Sequence, residues 1–230
     1  LRKLTFQPLP QKNAMGLKII LTGTTGMVGE GVLLECLEND QVSEVLSISR
    51  RPYAISHPKY SELLLSDFMQ IDAHRDRLRG FDACFYCAGV SSIGMSEADY
   101  THITLTTTLR FAQVLAKLNP EMVFDFVTGA LTDSSEQGRS MWARVKGKTE
   151  NELMKLPFRG QYNFRPGLMT PVKGQKNVKG IFKPFIAILP FFMPKKTLSL
   201  HEVGRAMIRT VTEGYSKQVL EVPDIKVLGV

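Results

Sequence analysis

Gly23-Thr24-Thr25-Gly26-Met27-Val28-Gly29 is the segment of this sequence best suited to chemistry. It follows the apolar, β-branched run Lys18–Thr22 and opens a stretch, Met27–Glu38, whose Val28, Val32, Leu33, Cys36 and Leu37 recur at helical spacing. Glycines between a strand and a helix allow a tight turn and let the backbone approach a pyrophosphate. The helix N-terminus adds free N–H groups and a favourable dipole. Gly23, Thr25, Gly26, Met27, Val28 and Gly29 are therefore candidate pyrophosphate-binding residues, and strand before and helix after are the context this reading requires. The next such position is the end of the second strand. An Asp or Glu there, roughly 20 residues after the glycines, would suit the ribose of NAD. Here stand Ser49-Arg50-Arg51. Two guanidinium groups suit a 2′-phosphate, which Arg can bind bidentately, so Arg50 and Arg51 favour NADP over NAD. The alternative is a pair of surface arginines after a strand.

The elements that must position these residues alternate. Strands are predicted at Lys18–Thr22, Glu44–Ser49, Ser61–Leu65, Phe81–Cys87, Met122–Val127 and Gln161–Phe164. Helices are predicted at Met27–Glu38, Ser96–Leu118, Glu136–Leu156 and His201–Glu213, with Ser96 as an N-cap and Pro120 just past a helix end. Strands alternating with helices give an α/β fold: a doubly wound parallel sheet covered on both faces, of Rossmann type, with a small C-terminal lobe from about residue 170. The domain is expected to run over 15–230, with residues 1–14 a leader outside the fold.

In order along the chain, further pieces match one family. Thr22–Gly29 has the T-G-x-x-G-x-x-G pattern, Ser66-Asp67-Phe68 follows the third strand, Cys87-Ala88-Gly89 follows the fourth, Val145-Lys146-Gly147-Lys148-Thr149-Glu150 has a V-K-G-x-x-E pattern, and Arg165-Pro166-Gly167 forms an R-P-G turn. Together they resemble the extended and atypical short-chain dehydrogenases/reductases, including the Tat-interacting oxidoreductase-like group. The resemblance implies Asp67 and Phe68 at the adenine and Cys87, Ala88 and Gly89 along the nucleotide. It also implies Lys146 on the nicotinamide ribose. The family's catalytic pair is Y-x-x-x-K, and four residues before Lys146 this chain has Trp142. An indole N–H neither titrates nor accepts a hydrogen bond, so Trp142 cannot be the general acid/base. The family hydroxyl that polarises the substrate carbonyl maps to Thr128, with Thr132, Ser134 and Ser135 as rivals. Tyr86, Tyr100 and Tyr162 could replace the missing tyrosine, although no motif places any of them. Ile103-Thr104 stands where many members have an Asn.

Composition bounds the rest. The 230 residues are 43% hydrophobic and 22% charged, an ordinary globular balance that excludes a mainly disordered chain. Three cysteines make no disulfide framework, and the C-x-x-C pair Cys84/Cys87 falls on a strand, where an offset of three points to opposite faces. The four histidines are scattered, so no metal site is expected, and a reducing, cytoplasmic compartment fits. Net charge is +7, split into −4 over 1–138 and +11 over 139–230. The basic half suggests an anionic ligand, a membrane surface or nucleic acid, or simply a solvated face; it is the only support for nucleic acid, and without a recognition motif nucleic acid is not expected. Ile181–Lys196 is the most apolar stretch, too short for the roughly 20 residues of a membrane span and broken by Pro184 and Pro190. It reads as the wall of a pocket for a small lipophilic substrate, with core packing and peripheral membrane contact as alternatives. The functional expectation is an NADP-dependent oxidoreductase or epimerase-like enzyme without the usual tyrosine. The alternative is a non-catalytic NADP(H)-binding sensor or scaffold.

Overall fold

The computed structural model describes residues 16–177 and 196–230. The proposed leader and nearly all of the apolar stretch 181–196 lie outside the described residues. Buried, β-branched-rich runs form the centre. Ile19, Ile20 and Leu21 of β1 (Leu17–Thr22) are all fully buried, as a strand covered on both faces requires. Around it lie β2 (Val42–Ser49), β3 (Tyr60–Leu64), β4 (Ala83–Tyr86), β5 (Val123–Val127) and β6 (Gly160–Phe164). Beyond them the chain adds β7 (Leu168–Thr170), β8 (Thr197–Ser199) and β9 (Val219–Leu220). Seven strands pair in the order β3-β2-β1-β4-β5-β6-β9, all parallel, and β7 pairs with β8 apart from them. The fold is the expected doubly wound parallel α/β sheet.

Helices cover both faces. On one face, α1 (Met27–Glu38) packs against a late helix, Leu200–Thr212, over Ile19, Leu21 and Phe85. The two helices approach closely because glycines face their partners. A Cβ on Gly31 would fall 2.6 Å from Leu200, and one on Gly204 would fall 2.7 Å from Glu35. The other face carries α2 (Glu97–Thr101), α3 (Thr107–Leu118), α4 (Met141–Leu153) and a 3₁₀ segment at Phe68–Leu78, packed over Ile20, Cys84 and Phe124. The late helix is α5, and Val222–Leu228 forms α6. Cys84 and Cys87 pack into opposite layers, as the strand alternation requires. The chain after residue 170 returns to the main domain: α5 covers α1 and β9 extends the sheet.

Two predicted helices differ in the structure. The helix predicted over Ser96–Leu118 runs on without a break but contains a π-turn at His102–Thr106, where the Thr107 hydroxyl donates to the His102 carbonyl at 2.9 Å. The helix expected over Glu136–Leu156 starts at Met141 and ends at Leu153. Its first residues form a loop, because the Asp133 carboxylate accepts from the Ser135 and Gly138 amides and Glu136 takes a left-handed φ of 62°. Local side-chain-to-backbone bonds of this kind compete with a helix. The 3₁₀ segment and the short β7, β8, β9 and α6 carry too little periodicity to be predicted.

Candidate functional site

The strand order reverses between β1 and β4, and a cleft of about 380 Å³ opens at the carboxyl ends of these strands. Ligands of open parallel sheets bind at such a switch point. Of the residues singled out in the sequence, Gly23, Thr25, Gly26, Arg50, Arg51, Asp67, Phe68, Cys87, Ala88, Gly89 and Lys146 line it. Met27, Val28, Gly29 and Thr128 do not.

Backbone builds one end of the cleft. Gly23 has a φ of +80°, and a Cβ there would fall 2.7 Å from the Cys87 carbonyl, so the loops after β1 and β4 can touch. A Cβ on Gly29 would fall 2.2 Å from the Gly23 oxygen, so the third glycine lets the helix pack onto its own turn. Thr22 Oγ1 accepts from the Ala88 amide at 3.1 Å and ties the two strand ends together. Gly26 caps α1 with no side-chain bond and is exposed, leaving the first-turn amides free of a competing cap beside the cleft. Met27 and Val28 pack back toward the core.

Beside this turn, Arg50 and Arg51 are exposed and form no salt bridge among the described residues. Their turn is fixed by the buried Ser49 hydroxyl, which donates to the Arg51 carbonyl at 2.6 Å. Asp67 caps the 3₁₀ segment by accepting from the Met69 amide, and Phe68 packs on Tyr86 and Phe111.

Side chains build the other end. Lys146 donates to the Thr128 carbonyl at 2.7 Å. Burial pushes its pKa down to about 8, against the opposing pull of Glu150. The Thr128 hydroxyl points away from the cleft, donating to Glu150 Oε1 at 2.6 Å. Thr128 thus meets Lys146 through its carbonyl. Of its rivals, the Thr132 hydroxyl donates to the Gly129 carbonyl, the Ser134 hydroxyl accepts from Arg165, and the Ser135 hydroxyl donates to Asp133. Glu150 is fully buried and is also held by Arg165, through Nε at 3.1 Å and through the second guanidinium nitrogen. Gly147 is required where the loop crosses α4, since a Cβ there would fall 1.8 Å from the Asp133 carbonyl. The V-K-G-x-x-E and R-P-G pieces thus belong to one buried cluster. Trp142 lies one turn before Lys146, half-buried and outside the cleft lining.

The structure separates the three tyrosines. Tyr86 and Tyr100 line the cleft, whereas the Tyr162 hydroxyl accepts from the Tyr215 amide elsewhere. Burial raises the pKa of both Tyr86 and Tyr100, opposed by hydrogen bonds to Thr108 and Thr104 respectively. The π-turn supplies His102, Ile103 and Thr104 to the same wall. Sequence reasoning did not assign these residues to the site; Ile103-Thr104, out of pattern at that position, was the one available signal. Single π-turns inside α-helices occur often at functional sites.

The model of the NAD dependent epimerase/dehydratase family matches residues 19–144, more than half of the chain. The chain belongs to that family. Among curated relatives, Protein HTATIP2 of Rattus norvegicus is 25% identical over 153 residues, 66% of this chain and 62% of that protein. Leucinostatins biosynthesis cluster protein T of Purpureocillium lilacinum is 29% identical over 144 residues, 60% of this chain and 51% of that protein. The chain thus spans between half and two thirds of the length of these relatives. Among solved structures, the Bordetella bronchiseptica enzyme WbmH in complex with NAD+ superposes with a TM-score of 0.63 at 18% identity, covering 89% of this chain and 74% of that one. At that identity the likeness is one of fold. The family match ends just before Lys146, Glu150 and Arg165.

Proposed function

We propose that this chain binds NADP(H) and acts as an oxidoreductase or epimerase-like enzyme on a small, lipophilic carbonyl or hydroxyl compound. One observation carries the reading: one cleft, at the switch point of the sheet, is lined by the glycine turn, by two arginines without an ion pair among the described residues, and by Lys146. The residues fit a dinucleotide. Gly23 and Gly26 line the cleft beside the uncapped end of α1, where first-turn amides could meet a pyrophosphate; Arg50 and Arg51, without an ion pair among the described residues, could take a 2′-phosphate; and Asp67 and Phe68 would border the adenine. Lys146 would meet the nicotinamide ribose. Bound there, the cofactor would supply hydride chemistry. The Thr128 role is a positioning one, holding Lys146 through its carbonyl. WbmH, of the same fold, is seen with NAD+. That no described helix is long and apolar enough to cross a membrane is compatible with a peripheral or a dissolved protein alike.

The sole tryptophan provides the test, since Trp142 lies one turn from Lys146. Titrating NADPH should quench its fluorescence at least tenfold more tightly than NADH does. Arg50→Ala/Arg51→Ala should erase that preference while NADH binding stays. No response to either nucleotide would sink the reading. A second reading, a non-catalytic NADP(H) sensor, is favoured by Trp142 standing where the family places its tyrosine. It predicts nucleotide binding without reduction of any carbonyl compound.

A further inference from the structure

On an isolated helix, Lys146 and Glu150 stand four residues apart, the spacing at which opposite charges pair. They do not pair here. Both Glu150 oxygens are taken by Arg165, and one also accepts from Thr128. Arg165 arrives from the end of β6 and is anchored further by Glu221, at 3.2 Å, and by Ser134. The Lys146 ammonium is left with a neutral carbonyl as its hydrogen-bond partner, inside the cleft. The residue four positions before it, Trp142, offers no titratable group.

We infer that Lys146 takes the acid–base role that Trp142 cannot fill, and that Arg165 is the positioning residue that makes this so by withholding Glu150 from it. The inference rests on the dinucleotide reading above. When a carbonyl compound is reduced in the cleft, its carbon gains a hydride from the reduced nicotinamide as the C=O π bond breaks. Its oxygen gains a proton from Lys146 Nζ, and the neutral amine regains a proton from water. An ammonium paired with a carboxylate would hold its proton too tightly for this; one facing a carbonyl releases it, and burial acts in the same direction. The other titratable groups lining the cleft are Arg50, Arg51, Asp67, Tyr86, Cys87, Tyr100 and His102. The one carboxylate among them, Asp67, accepts from the Met69 amide where it caps the 3₁₀ segment, and no ion pair joins it to Lys146 among the described residues.

The test reads the Lys146 proton directly. Competitive acetylation with acetic anhydride across pH 6–11, quantified by peptide mass spectrometry, gives its titration midpoint beside that of the exposed Lys148. In the full chain Lys146 should titrate at least one pH unit below Lys148. Arg165→Gln should free Glu150 and raise the Lys146 midpoint by at least one unit. Arg165→Met/Glu150→Gln removes both charges and should leave Lys146 low; this variant serves if the single one does not fold. The inference fails if Lys146 tracks Lys148 in the unmodified protein, or if the double variant raises it as much as Arg165→Gln does. A second arm uses 4-nitrobenzaldehyde with NADPH. Turnover should fall as pH rises through the measured Lys146 midpoint. Lys146→Met should lower kcat at least a hundredfold at saturating NADPH, well beyond any loss of NADPH affinity read from Trp142. Quenching by NADPH without turnover would overturn the acid–base role and leave the nucleotide reading standing; no quenching would overturn that reading instead.

Discussion

The two ends of the cleft are built from different materials. Where the glycine turn meets β4, backbone does most of the work: Gly23 and Gly29 matter for the side chains they lack, and, the Thr22 hydroxyl apart, the contacts are those of carbonyls and amides. Where α4 meets the end of β6, three side chains, Thr128, Glu150 and Arg165, are interlocked, and Lys146 joins them through the Thr128 carbonyl. Thr128, Lys146, Glu150 and Arg165 each depend on another for hydrogen bonding, and Glu150 is cut off from solvent. The first end resists an added atom at Gly23 or Gly29. The second cannot lose one charge without stranding the opposite one.

The largest expected effect comes from breaking the second end. Glu150→Ala leaves the Arg165 guanidinium buried with Glu221 as its remaining anion, itself half-exposed. Removing one partner of a buried pair costs about 3–5 kcal/mol, so the variant should melt far below the parent or fail to fold. Replacing both partners by apolar residues of similar size should recover most of that loss. If the single variant melts within a few degrees of the parent, the cluster is not the interlocked unit that its hydrogen bonds describe.

Gly29→Ala breaks the first end. Its Cβ would have to displace the Gly23 carbonyl, and overpacking of this kind costs about 1–3 kcal/mol. The sharper consequence is functional. The protein should still fold, its response to NADPH should weaken by at least a hundredfold, and the Lys146 titration should stay unchanged. A matching change in Lys146 would show that the two ends are one unit, and the contrast between them would dissolve.

The same contrast explains what was legible in the sequence. The glycine turn announces itself, because backbone geometry restricts residue type: few residues other than Gly can stand at Gly23, and none with a Cβ fits at Gly29 without displacing the turn. The parallel sheet followed from strand and helix alternation. The side-chain end was visible as fragments. Val145–Glu150 and Arg165–Gly167 could be read as family pieces, but nothing in one sequence says that Glu150 turns to Arg165 rather than to Lys146, or that the Thr128 hydroxyl faces away from the cleft. Those are choices among hydrogen-bond partners, settled by packing between α4, β5 and β6. The π-turn was illegible for a related reason, since it changes which residues face the cleft without altering the helical pattern on either side.

A second buried carboxylate sharpens the comparison from the other direction. Asp125, on β5 three residues before Thr128, is fully buried like Glu150 but faces the α5 layer. One of its oxygens accepts from the Thr210 hydroxyl at 2.9 Å, and the other has no hydrogen-bond partner. Among the described residues no cation pairs with it, and burial raises its pKa well above the ordinary 3.8, with the Thr210 bond opposing. The sign of the linkage follows. Below the unfolded pKa the group is neutral folded and unfolded, and costs nothing. Above it the unfolded chain releases the proton while the folded one retains it, so stability falls as pH rises toward the folded pKa. Asp125→Asn removes that dependence. The expected outcome is a melting temperature little changed at pH 4–5 and raised at pH 8–9, with nucleotide binding unaffected because Asp125 lies outside the cleft lining. Equal effects at both pH values would mean that Asp125 is ionised in the folded protein and that a positive group compensates it. A buried carboxylate would then need no Arg165 to remain charged here, and the reason for treating Glu150 and Arg165 as an inseparable pair would weaken with it.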